Sequence, residues 1–300
     1  MHNRLRYNNF PRKGLDLMAN AIKSLIVPRE NAILYHMSIG TKNWGDALNP
    51  VLIRHISGKE PVLAYRMRAL NDFPLYSRSE PVYSVIGSIL KTASAKDNLI
   101  VWGSGFMGES DRLVKEPKKI LAVRGHLTRD RIVDLGFDCP KVLGDPALLY
   151  PQFYKPNSEK QYNLGIIPHY LDRNSPFLER FRSDSNIRII DICSGINKVV
   201  EEIHSCRYIA SSSLHGIIVA DSYGIPSTWI EFSKNVPGNG FKFYDYFSSV
   251  CRRDDEPHVI IKDTALEDIY DRFYRYDLKI NLDQLLAACP FNNTDIKVAF

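Results

Sequence analysis

Apolar residues in this chain gather in short runs rich in Val, Ile and Leu, separated by segments in which apolar positions recur at helical spacing. That alternation predicts βαβ units built around parallel sheets. In the first half, strands are expected at Ala32–His36, Val82–Ile86, Leu99–Trp102, Ile120–Val123 and Val142–Leu143. A helix is expected from Asp46 as N-cap through Ala47–Ile56 with Gly58 beyond its end, and another from Thr128 as cap through Leu135 to Gly136. The polar, proline-bearing stretch Tyr150–Gln161 reads as a linker. A second alternation follows, with strands at Leu164–Ile167, Ile187–Ile192, Tyr208–Ala210 and Thr228–Ile230, and helices at Ser175–Arg182, Ile196–Ser205 and Leu214–Tyr223. Helical patterns at Thr264–Tyr276 and Leu282–Ala288 end the chain and are polar enough to lie on the surface, returning across the lobe boundary.

The expected organisation is an N-terminal segment over 1–30, an α/β domain over 31–150, a second over 160–260 and C-terminal helices over 261–300. Two such lobes facing a cleft place ligands at the carboxyl ends of their strands. With 300 residues the chain is long enough for two cores of ordinary size. A composition of 44 % hydrophobic and 24 % charged residues excludes disorder and a disulfide scaffold. Five cysteines, far apart and with no C-x-x-C pair, are expected to be reduced and structural. No apolar run approaches the ~18–20 residues that span a bilayer, so a cytosolic protein is expected.

The net charge of +5 arises without a dense Lys/Arg tract, which suits a small anion or a membrane surface better than nucleic acid. The basic segment Arg4–Lys23, with Leu15, Met18 and Ile22 at helical spacing, reads either as an ordinary surface helix or as one resting on a membrane face.

Candidate chemistry concentrates at strand tips. Ala210-Ser-Ser-Ser-Leu-His215-Gly216 leads from a strand into an apolar helix, whose free N–H groups would receive an anion between Ser212, Ser213, Leu214 and Gly216, with His215 beside it. An imidazole there would be poised to deliver a proton near neutral pH; otherwise a serine caps a buried helix and the histidine is a core residue. Arg124-Gly125 follows a strand in the first half, either as a bidentate anion receptor or as an arginine in a connecting loop.

Gly103-Ser-Gly-Phe-Met-Gly108 matches G-x-G-x-x-G, yet the next strand tip carries Arg124 where a ribose-binding acid belongs. A tight glycine turn at Gly103 and Ser104, letting the backbone approach a ligand, fits better than a dinucleotide site. Asn43, Gly45 and Asp46 line another expected loop, Asp46 as a cap and the others as hydrogen-bonding groups. Asp145 precedes proline at a strand tip, as a turn former or a carboxylate for the cleft; His169 and Asp172 follow Pro168 as groups for sugar hydroxyls or as a rigid turn. No metal-ligand motif, Walker loop or G-x-S-x-G elbow occurs, and no metal site is expected.

Asn43-Trp-Gly-Asp46, Gly103-Ser-Gly105, Val123-Arg-Gly125, Leu143-Gly-Asp-Pro-Ala147, Ile167-Pro-His169 and Ser213-Leu-His-Gly216 follow the order seen in the polysaccharide pyruvyltransferase family, which this chain resembles over about residues 31–250. Gly240-Phe-Lys-Phe-Tyr-Asp-Tyr246 further resembles its bacterial exopolysaccharide subgroup. The resemblance implies two Rossmann-like domains facing a cleft, similar to GT-B glycosyltransferases. It also implies transfer of pyruvate from phosphoenolpyruvate, as co-substrate and with no further cofactor, onto two hydroxyls of a sugar, with a lipid-linked oligosaccharide as a candidate acceptor.

Arg124 matches the family's phosphoenolpyruvate-binding arginine, and Leu214 and His215 its leucine–histidine pair. Some members carry arginine where this chain has Ser213, and Lys242 is the candidate to supply the missing charge. Two rival expectations are a nucleotide-sugar glycosyltransferase and a silent binder of anionic sugars.

Overall fold

The computed structural model describes residues 31–37, 43–64, 80–252 and 256–291. The basic segment Arg4–Lys23 and the expected N-terminal unit 1–30 lie outside the described residues. The first sheet contains β1 (Ala32–Tyr35), β2 (Glu60–Leu63), β3 (Val82–Ser84), β4 (Leu99–Trp102) and β5 (Lys119–Ala122) in the order β2-β1-β3-β4-β5, and a parallel bridge between Val123 and Leu143 extends it. The second holds β6 (Tyr162–Ile167), β7 (Ile187–Ile189), β8 (Cys206–Ser211), β9 (Ser227–Glu231) and β10 (His258–Val259) in the order β10-β9-β8-β6-β7. Every strand pair is parallel. Parallel strands need crossovers, which cover both faces with helices and explain the unbroken apolar runs Leu99–Trp102 and Leu164–Ile167 where alternation would otherwise be expected.

The helices are α1 (Trp44–Ser57), α2 (Leu90–Ala93), α3 (His126–Asp134), α4 (Glu179–Arg182), α5 (Ile196–His204), α6 (Leu214–Ser222), α7 (Phe241–Val250), α8 (Leu266–Tyr270) and α9 (Leu282–Ala287), with a 3-10 turn at Pro146–Gln152. Most expected strands and crossover helices are present with ends shifted by a few residues, but Val142–Leu143 contributes only the isolated bridge and the helix expected at Ser175–Arg182 is a 3-10 turn, Pro176–Leu178, followed by α4; Gly58 and Gly136 adopt the left-handed conformation just past their helices. Two caps differ from expectation. Asn43, not Asp46, caps α1: its Oδ1 accepts from the Asp46 amide at 3.2 Å while its Nδ2 donates to Asp46 Oδ2 at 2.8 Å. Gly125, not Thr128, precedes α3, and the helix start is satisfied from outside. The short strands β2 and β10 and the aromatic helix α7 were not expected, and the helix expected at Thr264–Tyr276 shortens to α8.

One apolar cluster runs through both halves, joining Trp102 of the first sheet and Leu48 and Leu52 of α1 to Ile209 and Trp229 of the second sheet and Ile217 of α6. The α6 helix is buried along nearly its whole length, which suits its apolar run Ile217–Ala220, and it is flanked by the Pro146–Gln152 turn. The chain end returns to the first sheet: Trp102 Nε1 donates to the Leu285 carbonyl at 2.9 Å, and Phe291 packs edge-on against Tyr83 and Trp102. Among the described residues no helix is long and apolar enough to cross a membrane.

Candidate functional site

The candidate residues emerge just past the carboxyl ends of strands from both sheets. Arg124 lies two residues beyond β5, His169 two beyond β6, and Ser212 opens the turn from β8 into α6. The two sheets meet at these ends. Trp44 Nε1 donates to the Ile196 carbonyl at 3.1 Å, and Gly45, in the first turn of α1, lies so close to His215 that a Cβ would come within 2.1 Å of Nε2. Only glycine lets the two helix starts approach this closely.

Arg124 is not the open fork expected from its position. The side chain is fully buried; Nε donates to Asp245 Oδ2 at 2.9 Å, Nη2 to the Phe106 carbonyl at 2.7 Å, and Nη1 to Ser88 Oγ. The Asp245 carboxylate also accepts from the Thr128 amide and hydroxyl, each at 2.7 Å, while Ser248 Oγ accepts from the His126 amide at 3.0 Å. Helix α7 therefore caps α3 and holds the guanidinium with the same carboxylate, placed where the α3 dipole favours negative charge. Asp245, Ser88 and the Phe106 carbonyl were missed by sequence reasoning. The available signal was a lone carboxylate within the aromatic run Phe241–Phe247.

Lys242 sits in the first turn of α7, where the helix dipole opposes a cation, and is buried. No carboxylate among the described residues pairs with it. Burial, reinforced by the Arg124 charge, brings its ammonium down to about 8. Its charge in turn acts on two imidazoles. Burial first, then Lys242 and Arg124, push His215 down to about 3, and burial with Lys242 does the same to His169. With Lys242 and Arg124 as its charged neighbours His215 is neutral at physiological pH, and the proton delivery expected of it belongs to the state in which an anion offsets those charges. Arg124 and Lys242 thus act electrostatically on the two imidazoles, and of the two cations only Arg124 has a carboxylate, Asp245, as its partner among the described residues.

Two carboxyl groups flank the cluster. Burial raises Asp46 to about 7 and Asp145 to about 6. Asp145 Oδ1 accepts from the Ala147 amide at 3.0 Å, capping the 3-10 turn, while its sealed Oδ2 has no partner. Asp145 is therefore both the expected turn former and a carboxylate with an unused acceptor.

The remaining candidates divide. Ser212 Oγ accepts from the His169 amide at 2.7 Å, tying two strand tips together, and Ser213 caps α6 without a side-chain bond; the Gly216 amide donates to the Ser213 carbonyl at 3.0 Å, which leaves the Leu214 and His215 amides for a ligand. Leu214 belongs to the shared apolar cluster. Gly216 does not offer the close ligand approach expected of it, because the space beside it is filled by Ser211 Oγ and Ile167. Gly103, with φ +96°, packs on Pro146, and Ser104 Oγ accepts from the Ser84 hydroxyl at 2.8 Å, so that glycine turn serves protein packing.

These features define an α/β protein with two parallel sheets and an anion-receptive group of side chains at their strand ends. The chain belongs to the polysaccharide pyruvyl transferase family, whose model matches residues 43–234. It is 35% identical over 175 residues to an uncharacterized protein, L143, of Acanthamoeba polyphaga mimivirus, covering 56% of this chain and 60% of that one. It is 27% identical over 169 residues to the succinoglycan biosynthesis protein ExoV of Rhizobium meliloti, covering 54% of this chain and 51% of ExoV. The chain thus spans little more than half the length of these curated relatives. A crystal structure of an uncharacterized protein from Klebsiella pneumoniae aligns over 80% of this chain and 93% of its own, with a TM-score of 0.45 and 15% identity.

Proposed function

We propose that this chain transfers the pyruvyl group of phosphoenolpyruvate onto two hydroxyls of one sugar in a surface polysaccharide precursor, forming a cyclic ketal and releasing inorganic phosphate. Family membership and the similarity to a succinoglycan biosynthesis protein support the class of reaction. The observation that carries the donor assignment is Lys242: a buried ammonium with no carboxylate partner, beside two imidazoles and a guanidinium, calls for a compact anion. In this reading, domains over 31–150 and 160–260 face one another across a GT-B-like cleft with the donor between them.

Lys242 and the Leu214 and His215 amides of α6 receive the phosphate and carboxylate, with Lys242 supplying the charge that arginine provides in members where this chain has Ser213. Arg124, held by Asp245, adds fixed positive potential. A bound dianion counters the Lys242 and Arg124 charges and raises the proton affinity of His215, which makes it competent as the acid. Protonation of the methylene carbon of phosphoenolpyruvate gives a methyl group and cationic character at the central carbon. One sugar hydroxyl adds there, the C–O bond to phosphate breaks, and the neighbouring hydroxyl closes the ring. The two hydroxyl protons leave, one balancing that given to carbon and one the phosphate. Asp46, raised to about 7 and adjoining Gly45 against His215, is placed to accept a hydroxyl proton. Asn43, Asp145 and His169 orient the sugar.

No metal or organic cofactor is required. The reaction takes place in the cytoplasm at the inner membrane face, where lipid-carried oligosaccharides present the acceptor.

The test is incubation of the protein with phosphoenolpyruvate and lipid-linked or free galactosides, mannosides and N-acetylhexosaminides. Phosphate release with a product heavier by one pyruvate less water is the expected result, lost in a folded His215→Gln variant. Absence of product across the panel, or release of nucleotide from a sugar nucleotide instead, overturns the assignment.

A further inference from the structure

A second concavity lies outside the cluster just described. The outer face of α3, the loop at 108–112 and the turn leading into α7 enclose a groove of about 1390 Å³. That exceeds the ~300–1,000 Å³ of a typical small-molecule pocket and is far more than a three-carbon acid needs. Its wall combines aromatic and charged groups. The Arg131 guanidinium lies 5.4 Å from the centre of the Phe241 ring, and its Nε and Nη1 meet no acceptor. Tyr244 continues the aromatic side, and the half-exposed Leu127 supplies an apolar patch on α3.

Charge narrows the occupant. Glu109 and Asp134 line the groove opposite Arg112 and Arg131, and Asp130 is paired with Arg129 at 3.1 Å, so the wall carries no net positive charge to hold polyphosphates or nucleic acid. Carboxylates that accept, guanidinium groups that donate and an aromatic edge that packs on C–H faces together suit a neutral chain of hydroxyl-bearing rings. Two short stretches of chain link the wall of the groove to residues of the anion cluster. Phe241 precedes Lys242 on α7, and Gly108 lies two residues after Phe106, whose carbonyl holds Arg124.

We propose that this groove binds the saccharide chain of the acceptor, a neutral oligosaccharide of several hexose units, with one sugar presented toward Lys242 and His215. The identity of the ligand as an acceptor rests on the pyruvyl-transfer reading; binding of a neutral glycan in the groove does not.

The test measures the two separately. Calorimetric titration of the full chain with neutral linear glucose and galactose oligosaccharides, four to eight units in length, should show binding. Leu127→Trp, which fills the groove from an exposed position, and Arg131→Gln should each weaken it by about tenfold or more. Phosphoenolpyruvate binding should stay unchanged in both variants. Glycan binding that survives Leu127→Trp undiminished, or failure of every oligosaccharide to bind the wild-type chain, overturns the proposal even if phosphate release is observed. Groove-dependent glycan binding without phosphate release sustains the groove and counts against pyruvyl transfer.

Discussion

Moving an ammonium out of water without a counter-charge costs free energy, and Lys242 bears that cost at the wrong end of a helix dipole. A Lys242→Met substitution removes an unpaired buried charge while keeping most of the side-chain volume. The thermal midpoint of the ligand-free protein is expected to rise. Phosphoenolpyruvate affinity is expected to fall by roughly ten- to a hundredfold, the worth of one charge-assisted hydrogen bond, as read by calorimetry.

His215 offers a test in pH. Its native affinity for a proton, at about 3, lies below the ordinary histidine value of 6.5, so between those limits the unfolded chain binds the extra proton. The contribution is present above pH 6.5 and lost as pH falls toward 3. Urea titrations of wild type and His215→Gln should therefore diverge in acid, the wild type losing up to about 1.4 kcal/mol per pH unit relative to the variant. Parallel curves across this window would exclude a neutral buried imidazole.

Among the elements, α7 is the joint of the site. One turn carries Lys242 toward the imidazoles; the next carries Asp245 to the start of α3 and to Arg124. Its far end is anchored in a buried network in which Asp221 of α6 accepts from Arg252, Tyr246 and Tyr276. Asp245→Ala leaves the Arg124 charge buried without its partner and uncaps α3 together. The expected cost is about 3–5 kcal/mol in urea unfolding, the range for breaking a buried ion pair from one side. A loss below about 1 kcal/mol would show that the pair does not hold the two elements.

Sequence reasoning registered Gly240–Tyr246 only through its likeness to relatives, since Phe, Tyr and Ser at close quarters carry little intrinsic helix signal. Asn43 was likewise legible as a polar group beside α1 but not as its cap. Asp46 is also a good cap residue, and spacing cannot decide between them.

At the scale of the whole molecule, the apolar cluster that runs through both sheets argues against two independently melting lobes. Trp44, Trp102 and Trp229 all belong to it. Tryptophan fluorescence and far-ultraviolet circular dichroism should therefore report one coincident thermal transition. Two separated transitions would show that each sheet stands alone. The return of α9 to Trp102 works in the same direction, because the end of the chain helps to cover the first sheet.

The order of strands along the chain, the crossover helices and the placing of polar residues at strand tips follow from the sequence, because period and tip position are local properties that neighbouring residues dictate. Which tip groups are spent on the protein and which remain for a ligand was decided only by tertiary structure. Arg124 and Asp245 are 121 positions apart, and nothing near either one announces the other. The same holds for Lys242: that no carboxylate among the described residues pairs with it is a property of the space around it and not of its neighbours in sequence.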